Sequence, residues 1–255
     1  MILSPVQLNN TGVVILAAGR GTRLGCIDKP KVMLEVNGKP IVSYVVETLR
    51  KIGFNKEQIM LVVGFAKEKI QEYFGESVSY SIQEEQLGTA HAAYIGIKNL
   101  NKNIKNVLVL NGDDSLFYKM ETLENFINDY LKNNLAVSLL TAPVEAENYT
   151  YGRVIKNGGT IEIIEKEYLT DEIAKNTQTS TGTFIFNKDW FLQEFPYFPK
   201  IGKLGEYGLP TAFAVAQKNN LKIGVIKLIN KNEWFGINTP KELAEANLKI
   251  MNDKN

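Results

Sequence analysis

Val13-Val14-Ile15-Leu16 runs without a break into Ala17-Ala18-Gly19-Arg20-Gly21-Thr22-Arg23-Leu24-Gly25. The first four residues have the β-branched, wholly apolar character of a strand buried on both faces. The next nine are small, glycine-rich and basic, so backbone N–H groups can approach a ligand closely just where the strand ends. In an open parallel sheet that position is a carboxyl edge, where ligands bind. The glycine spacing is neither of two common nucleotide motifs. No Gly-Lys-Ser/Thr follows after four intervening residues, and Leu24 stands where a dinucleotide loop needs its third glycine. Arg20 and Arg23, followed by Lys29-Pro30-Lys31, instead bring several positive charges together, an arrangement suited to a triphosphate. The less favoured reading of the loop standing alone is a glycine-rich turn with solvated cations.

Outward from this loop, short apolar runs alternate with segments of helical period. Strands are expected at Val13 to Leu16, Gln58 to Val63, Val78 to Ile82, Val107 to Leu110 and Ala136 to Thr141. Helices are expected near Ile41 to Lys51, Ala66 to Tyr73, Thr89 to Leu100 and Leu123 to Lys132. Such alternation predicts a doubly wound α/β core. After Pro143 the pattern changes to strands at Arg153 to Lys156, Thr160 to Glu165 and Thr183 to Phe186, with Glu167 to Gln178 polar and loop-like, a section expected to build a lid or second pocket wall. The end returns to helix, strand and helix. Thr239-Pro240-Lys241-Glu242 has capping-box spacing with proline at the first helical position, so a helix begins just after Asn238. Without repeats or a linker, one domain is expected, divided into a nucleotide-binding core at about 12–142, a second region at about 143–235 and a C-terminal helix within 236–255.

The chain of 255 residues is 44% hydrophobic, enough for a large core in one unit. Lys plus Arg number 29 against 28 Asp plus Glu, so there is no general field for nucleic acid or an anionic membrane, and an anionic ligand must be held by local groups. The single cysteine, Cys26, rules out an intrachain disulfide framework and fits a reducing compartment. With no export signal or membrane anchor in the first residues, the expected location is cytoplasmic. The single histidine, His91, rules out a histidine triad with a second histidine or a multi-histidine metal site, and is expected to be a packed or hydrogen-bonded structural residue.

Leu16-Ala17-Ala18-Gly19-Arg20-Gly21-Thr22-Arg23 with Pro30-Lys31 resembles the signature of the sugar-phosphate nucleotidyltransferases. Gln83-Glu84-Glu85-Gln86-Leu87-Gly88-Thr89-Ala90-His91-Ala92 resembles the second signature of the uridylyltransferase domain of bacterial N-acetylglucosamine-1-phosphate uridylyltransferases. Weaker echoes run through Asn111-Gly112-Asp113, Tyr151-Gly152-Arg153, Glu165, Thr181-Gly182, Glu206-Tyr207 and Gly236-Ile237-Asn238, so the resemblance spans nearly the whole chain. It implies a Rossmann-like, doubly wound mixed sheet flanked by helices, with a smaller sugar-binding lid region in the second half.

The resemblance also implies a set of roles. Leu16, Ala17, Ala18, Gly19, Gly21 and Thr22 would cradle the nucleotide, Gln83 would meet the pyrimidine edge with the backbone of Ala17 and Gly88, and Thr89 would lie near the nucleotide. Asp113 would hold Mg2+ with the amide oxygen of Asn238. Asn111, Gly152, Glu165, Ser180 and Thr181 would form the sugar pocket. Arg23 and Lys31 are the candidates for catalysis, stabilising charge while a sugar 1-phosphate oxygen attacks the α-phosphorus and expels pyrophosphate. UTP is favoured, with dTTP or CTP as alternatives, and an N-acetylhexosamine or hexose 1-phosphate is the expected partner substrate.

The chain departs from the acetylglucosamine enzymes at Ser180, where they usually carry Asn, at Asn111, where they usually carry Tyr, and at Gly208-Leu209-Pro210-Thr211. Their hexapeptide repeats do not occur in these residues, so the acetyltransferase reaction is not expected of them. Two rival readings remain: a non-catalytic nucleotide- or sugar-binding regulator, disfavoured by the joint presence of Arg23, Lys31, Asp113 and Asn238, and a metal-dependent glycosyltransferase using Asp113-Asp114, which leaves Arg23 and Lys31 without a task.

Overall fold

The computed structural model describes residues 2–21, 24–201 and 205–252. Its sheet is built on β1 (Thr11–Ala17), which pairs in parallel with β4 (Ile59–Val63) on one side and β6 (Asn106–Asn111) on the other, and β5 (Ser79–Ile82) extends the β4 side. Beyond β6 lie β10 (Gln178–Asn187), β7 (Val137–Pro143) and β11 (Ile223–Lys227), giving the order β11-β7-β10-β6-β1-β4-β5. Only β10 runs against its neighbours. The sheet is therefore mixed and doubly wound, as expected.

The period-2 geometry of β1 sorts its side chains between two cores. Val13, Ile15 and Ala17 join the helices α2 (Ile41–Ile52), α3 (Lys67–Phe74) and α5 (Met120–Asn133) on one face. Val14 and Ala18 join α4 (Thr89–Lys98), α7 (Lys188–Glu194) and α8 (Thr211–Lys218) on the other. A third cluster packs Val36, Ile41 and Leu116 with Ile237, Ala246 and Ile250, seating the C-terminal helix α9 (Pro240–Asn252) against the small hairpin of β2 (Glu35–Val36) and β3 (Lys39–Pro40). The expected cap is present: Glu242 N donates to Thr239 Oγ1 at 3.2 Å, while the Glu242 carboxylate accepts from Asn238 N at 2.7 Å. No helix among the described residues is long and apolar enough to cross a membrane.

Three expectations needed correction. The polar stretch 167–178 is not simply loop: α6 (Asp171–Ala174) forms within it, capped by Thr170 Oγ1 accepting from Ile173 N, because a Thr followed by two acids suits a helix N-terminus whatever the polarity of the segment. The strand expected at Thr183 to Phe186 is the inner half of the much longer β10; its first half is polar because it faces a cavity, which hides it from an apolar-run criterion. Before β1, α1 (Pro5–Asn9) carries a capping box of Ser4 and Gln7 that periodicity missed in so short a helix. The remaining boundaries differ by one to three residues, the ordinary fraying of element ends.

The direction of β10 sets the composition of the ligand edge. Because β10 alone is antiparallel, its beginning, Gln178 to Thr181, lies at the same edge as the ends of β1, β6 and β7, with Ser180 opposite Thr141. The paired strands β8 (Arg153–Asn157) and β9 (Thr160–Ile164) stand in front of that edge and form the wall expected of the second region.

Candidate active site

The three strand ends at this edge place three adjoining hollows. A cavity of about 240 Å³ lies between Leu16, Ala17, Gly19, Gly21, Lys31 and Asp113, at the exit of β1. Gly21 is in the left-handed region (φ +73°), and a Cβ there would stand 2.6 Å from Lys31 Cβ, so glycine lets the loop close down on Lys31. Thr22 and Arg23 lie outside the described residues. Lys31, from the short turn Lys31–Met33, is bonded through Nζ to Asp113 Oδ2 and, at 2.9 Å, to Asn238 Oδ1. Its side chain is only 12% exposed, which keeps this contact from being dissolved by solvent. Asn238 arrives from the far end of the chain, held by Ile237 N donating to Asp113 O at 3.3 Å. Residues 31, 113 and 238 thus meet at one point.

On one side, at the ends of β4 and β5, a hollow of about 390 Å³ is bounded by Arg20, Phe65, Gln83 and Gln86, with the Arg20 guanidinium over the Phe65 ring at 5.3 Å. Gln86 Nε2 donates to Ala18 O at 2.7 Å, tying the second signature to the first loop. Gln83 is buried; its Nε2 lies 3.1 Å from His91 Nδ1 and 3.4 Å from Gly88 O. Gly88 is required by a close approach: its φ is +105°, and a Cβ would stand 2.6 Å from Tyr207 O. The same approach explains the echo at Glu206-Tyr207, since Tyr207 N donates to Leu87 O and Ala90 N to Tyr207 O, both at 2.8 Å. That dipeptide is a backbone splint for the signature.

On the other side a cavity of about 460 Å³ contains all five expected sugar residues in its lining: Asn111, Gly152, Glu165, Ser180 and Thr181. Their chemistry is unequal. Thr181 Oγ1 already donates to Leu140 O at 2.8 Å and is almost fully buried, so its hydroxyl serves the sheet. Ser180 Oγ accepts from Gly182 N at 3.1 Å. Thr89, expected near the nucleotide, faces this cavity instead, and its Oγ1 accepts from Leu209 N at 3.0 Å. Here the departure at Gly208-Leu209-Pro210 gains a role, because Leu209 and Pro210 also line the wall.

Burial pushes the Asp114 carboxyl well up, and the adjacent Asp113 charge adds to it. Asn111 Nδ2 donates to Asp114 Oδ2 at 3.1 Å, and the buried indole N–H of Trp234 also favours the charged carboxylate. The Glu165 side chain is largely open to solvent, yet the cavity wall behind its carboxyl takes away enough water to raise it, with Glu167 contributing repulsion, so the effect on stability is small. A carboxyl raised in this way stabilises the fold while protonated, below its ordinary 4.5, and that contribution is lost as pH rises through the raised value. Glu165→Gln, neutral throughout, is therefore expected to melt at a higher temperature than the wild type at pH 7 and at the same temperature near pH 3.5; a difference that is the same at both pH values would contradict this origin.

Some participants were not legible as such. Trp234 contributes an aromatic wall to the large cavity and packs on Tyr151 at 4.9 Å between ring centroids. Arg153, quoted only as part of an echo, is fully buried and donates to six backbone carbonyls, of Glu145, Ala146, Asn148, Tyr151, Gly152 and Ala174, at 2.7–3.3 Å. It organises the segment that brings Gly152 to the cavity. Among the described residues no cluster of three His, Cys, Asp or Glu could hold a metal alone.

A basic loop at the carboxyl edge, a hollow beside it floored by a buried glutamine amide and a second cavity rich in polar groups line one edge of a doubly wound α/β sheet. The chain belongs to the nucleotidyl transferase family, whose model matches residues 12–253. It is 33% identical over 241 residues to the bifunctional protein GlmU of Halalkalibacterium halodurans, an alignment covering 94% of this chain and 52% of that protein. With the bifunctional protein GlmU of Thermotoga sp. (strain RQ2) it shares 36% identity over 231 residues, covering 91% and 49%. The chain thus spans about half the length of the curated relatives it matches. In fold it superposes with a TM-score of 0.75, at 19% identity and 94% coverage of both chains, on a provisionally assigned glucose-1-phosphate thymidylyltransferase from Bacillus anthracis crystallised with sucrose.

Proposed function

We propose that the chain joins a nucleoside triphosphate, UTP by preference, to a sugar 1-phosphate and releases pyrophosphate. The observation that carries this reading is the convergence of Lys31, Asp113 and Asn238 between the two larger hollows, one fit for a base and one for a polyol. The base edge meets the Gln83 amide and the backbone of Gly88 and Ala17, and the triphosphate follows the loop from Ala17 to Gly21 toward Lys31. Glu165, the Gly152 backbone and Asn111 offer the polar groups a hexose or N-acetylhexosamine needs.

The attacking phosphate oxygen is already anionic, so no strong general base is called for. The chain's task is to bring two anions together and stabilise the charge of the transition state, with Arg23 and Lys31 as the cationic groups. The donor set also fits Mg2+. A carboxylate and an amide oxygen already share one cation, the Lys31 ammonium, and magnesium takes one or two carboxylates with phosphate oxygens and water completing its shell. Asp113 and Asn238 would hold that ion, which would supply Lewis-acid stabilisation of the phosphate oxygens.

The test is a matrix of UTP, dTTP and CTP against hexose and N-acetylhexosamine 1-phosphates, scored by pyrophosphate release with and without Mg2+. Release with UTP that depends on both the sugar phosphate and the metal is the expected result. Tight nucleotide binding with no release for any pair would favour the regulator, and sugar transfer from a nucleotide sugar to an acceptor would favour the glycosyltransferase.

A further inference from the structure

His91 is the one histidine in the chain, and the proposed reaction gives it no task. It sits in the first turn of α4, where its ring is loosely stacked on Phe195 at 6.3 Å between centroids, and its Nδ1 points at the Gln83 side-chain amide, 3.1 Å from Nε2. That amide has a second acceptor, the Gly88 carbonyl, at the longer distance of 3.4 Å. With both amide hydrogens directed to His91 and Gly88, the amide oxygen is the end left for a ligand, and among the described residues nothing donates to it.

We propose that His91 is a positioning residue that fixes the Gln83 amide with its oxygen toward the base and so makes the site select uracil or thymine over cytosine. This inference rests on the base-pocket reading of the proposed function. The argument is one of polarity. Uracil and thymine present a donor at N3 beside an acceptor at O4, whereas cytosine presents an acceptor at N3 beside a donor at its amino group. The Gln83 oxygen accepts from an N3–H, and the adjacent Gly88 N–H, which has no acceptor among the described residues, suits the neighbouring carbonyl. Cytosine reverses both groups, so its N3 would face the amide oxygen acceptor to acceptor.

A free glutamine would not enforce this choice, because a half-turn about its last torsion exchanges oxygen for nitrogen and welcomes cytosine equally. The Gly88 carbonyl opposes that turn only through the longer contact. His91 Nδ1 opposes it through the shorter one, provided Nδ1 is the unprotonated nitrogen and the ring proton resides on Nε2. The histidine thus reads no base itself; it determines which end of the glutamine does.

Equilibrium binding of UTP and CTP to the full chain, measured for the wild type, His91→Phe and His91→Asn, tests the proposal. Phenylalanine keeps the ring stacking without the acceptor, and the asparagine Oδ1 occupies the place of Nδ1. The wild type is expected to favour UTP, His91→Phe to lose about tenfold of that UTP-to-CTP ratio, equivalent to about 1.4 kcal/mol, mostly through tighter CTP, and His91→Asn to stay within about threefold of the wild type. A ratio unchanged in His91→Phe overturns the inference while leaving the base pocket standing. A wild type indifferent to UTP and CTP overturns the base-pocket reading and the inference with it. A second measurement needs no variant: long-range 15N–1H spectra of the lone histidine at neutral pH should show the Nε2-protonated tautomer, and the Nδ1-protonated tautomer would overturn the proposal.

Discussion

Lys31→Met is expected to lower the rate of magnesium-dependent pyrophosphate release by about a hundred- to a thousandfold, the loss of about 2.7–4 kcal/mol of barrier that follows removal of one preorganised charge-stabilising donor. The size of the effect comes from position. The ammonium is mostly buried directly under the loop that leaves β1, and with Asp113 and Asn238 taken up by Mg2+ its charge would turn toward the phosphates in a site shielded from water. Methionine preserves much of the stem and removes only the charge and its donors. Arginine should rescue poorly, because a planar guanidinium cannot replace a compact ammonium in a cage fitted to one nitrogen. Initial rates at saturating nucleotide and sugar phosphate check the expectation, and turnover within tenfold of the wild type would remove Lys31 from the chemistry.

Arg153→Ala should cost about 2–5 kcal/mol of stability, the range found when a large, fully buried side chain is cut back to alanine and a cavity remains. The guanidinium brings five N–H donors to a place with no solvent and directs them to six carbonyls contributed by the 145–152 segment and the end of α6. Alanine leaves a cavity the size of the lost side chain and takes the guanidinium donors from carbonyls of which Glu145 O alone keeps a backbone donor, Asn148 N at 3.1 Å, among the described residues; an acceptor left buried without a donor is unfavourable by about 1–3 kcal/mol unless water reaches it. Lysine, with three donors on one nitrogen, should recover only part. Urea unfolding gives the answer as a shift in midpoint at unchanged slope. A shift worth less than about 1 kcal/mol would show that the segment from Glu145 to Gly152 holds its shape without this residue.

These two residues mark the boundary of what can be read along a chain. Lys31 was identifiable because its chemistry is local: a lysine soon after a glycine-rich strand exit belongs to a pattern whose spacing the backbone fixes. Arg153 looked like one more polar residue opening a strand, since nothing in Tyr151-Gly152-Arg153 states that six carbonyls from two segments will close around it. The same holds for Trp234, whose ring meets Tyr151, a residue far from it in the chain.

The alternating strand and helix order of the core and the loop at its carboxyl edge are written in the order of residues, because those depend on side-chain period and on short-range backbone geometry. Only the tertiary structure decided that β10 runs antiparallel and so delivers Ser180 to the ligand edge, that Thr89 faces the larger cavity, and that His91 holds the Gln83 amide. Strand direction and side-chain orientation depend on contacts between residues far apart in the chain, and such contacts leave no periodic trace in it.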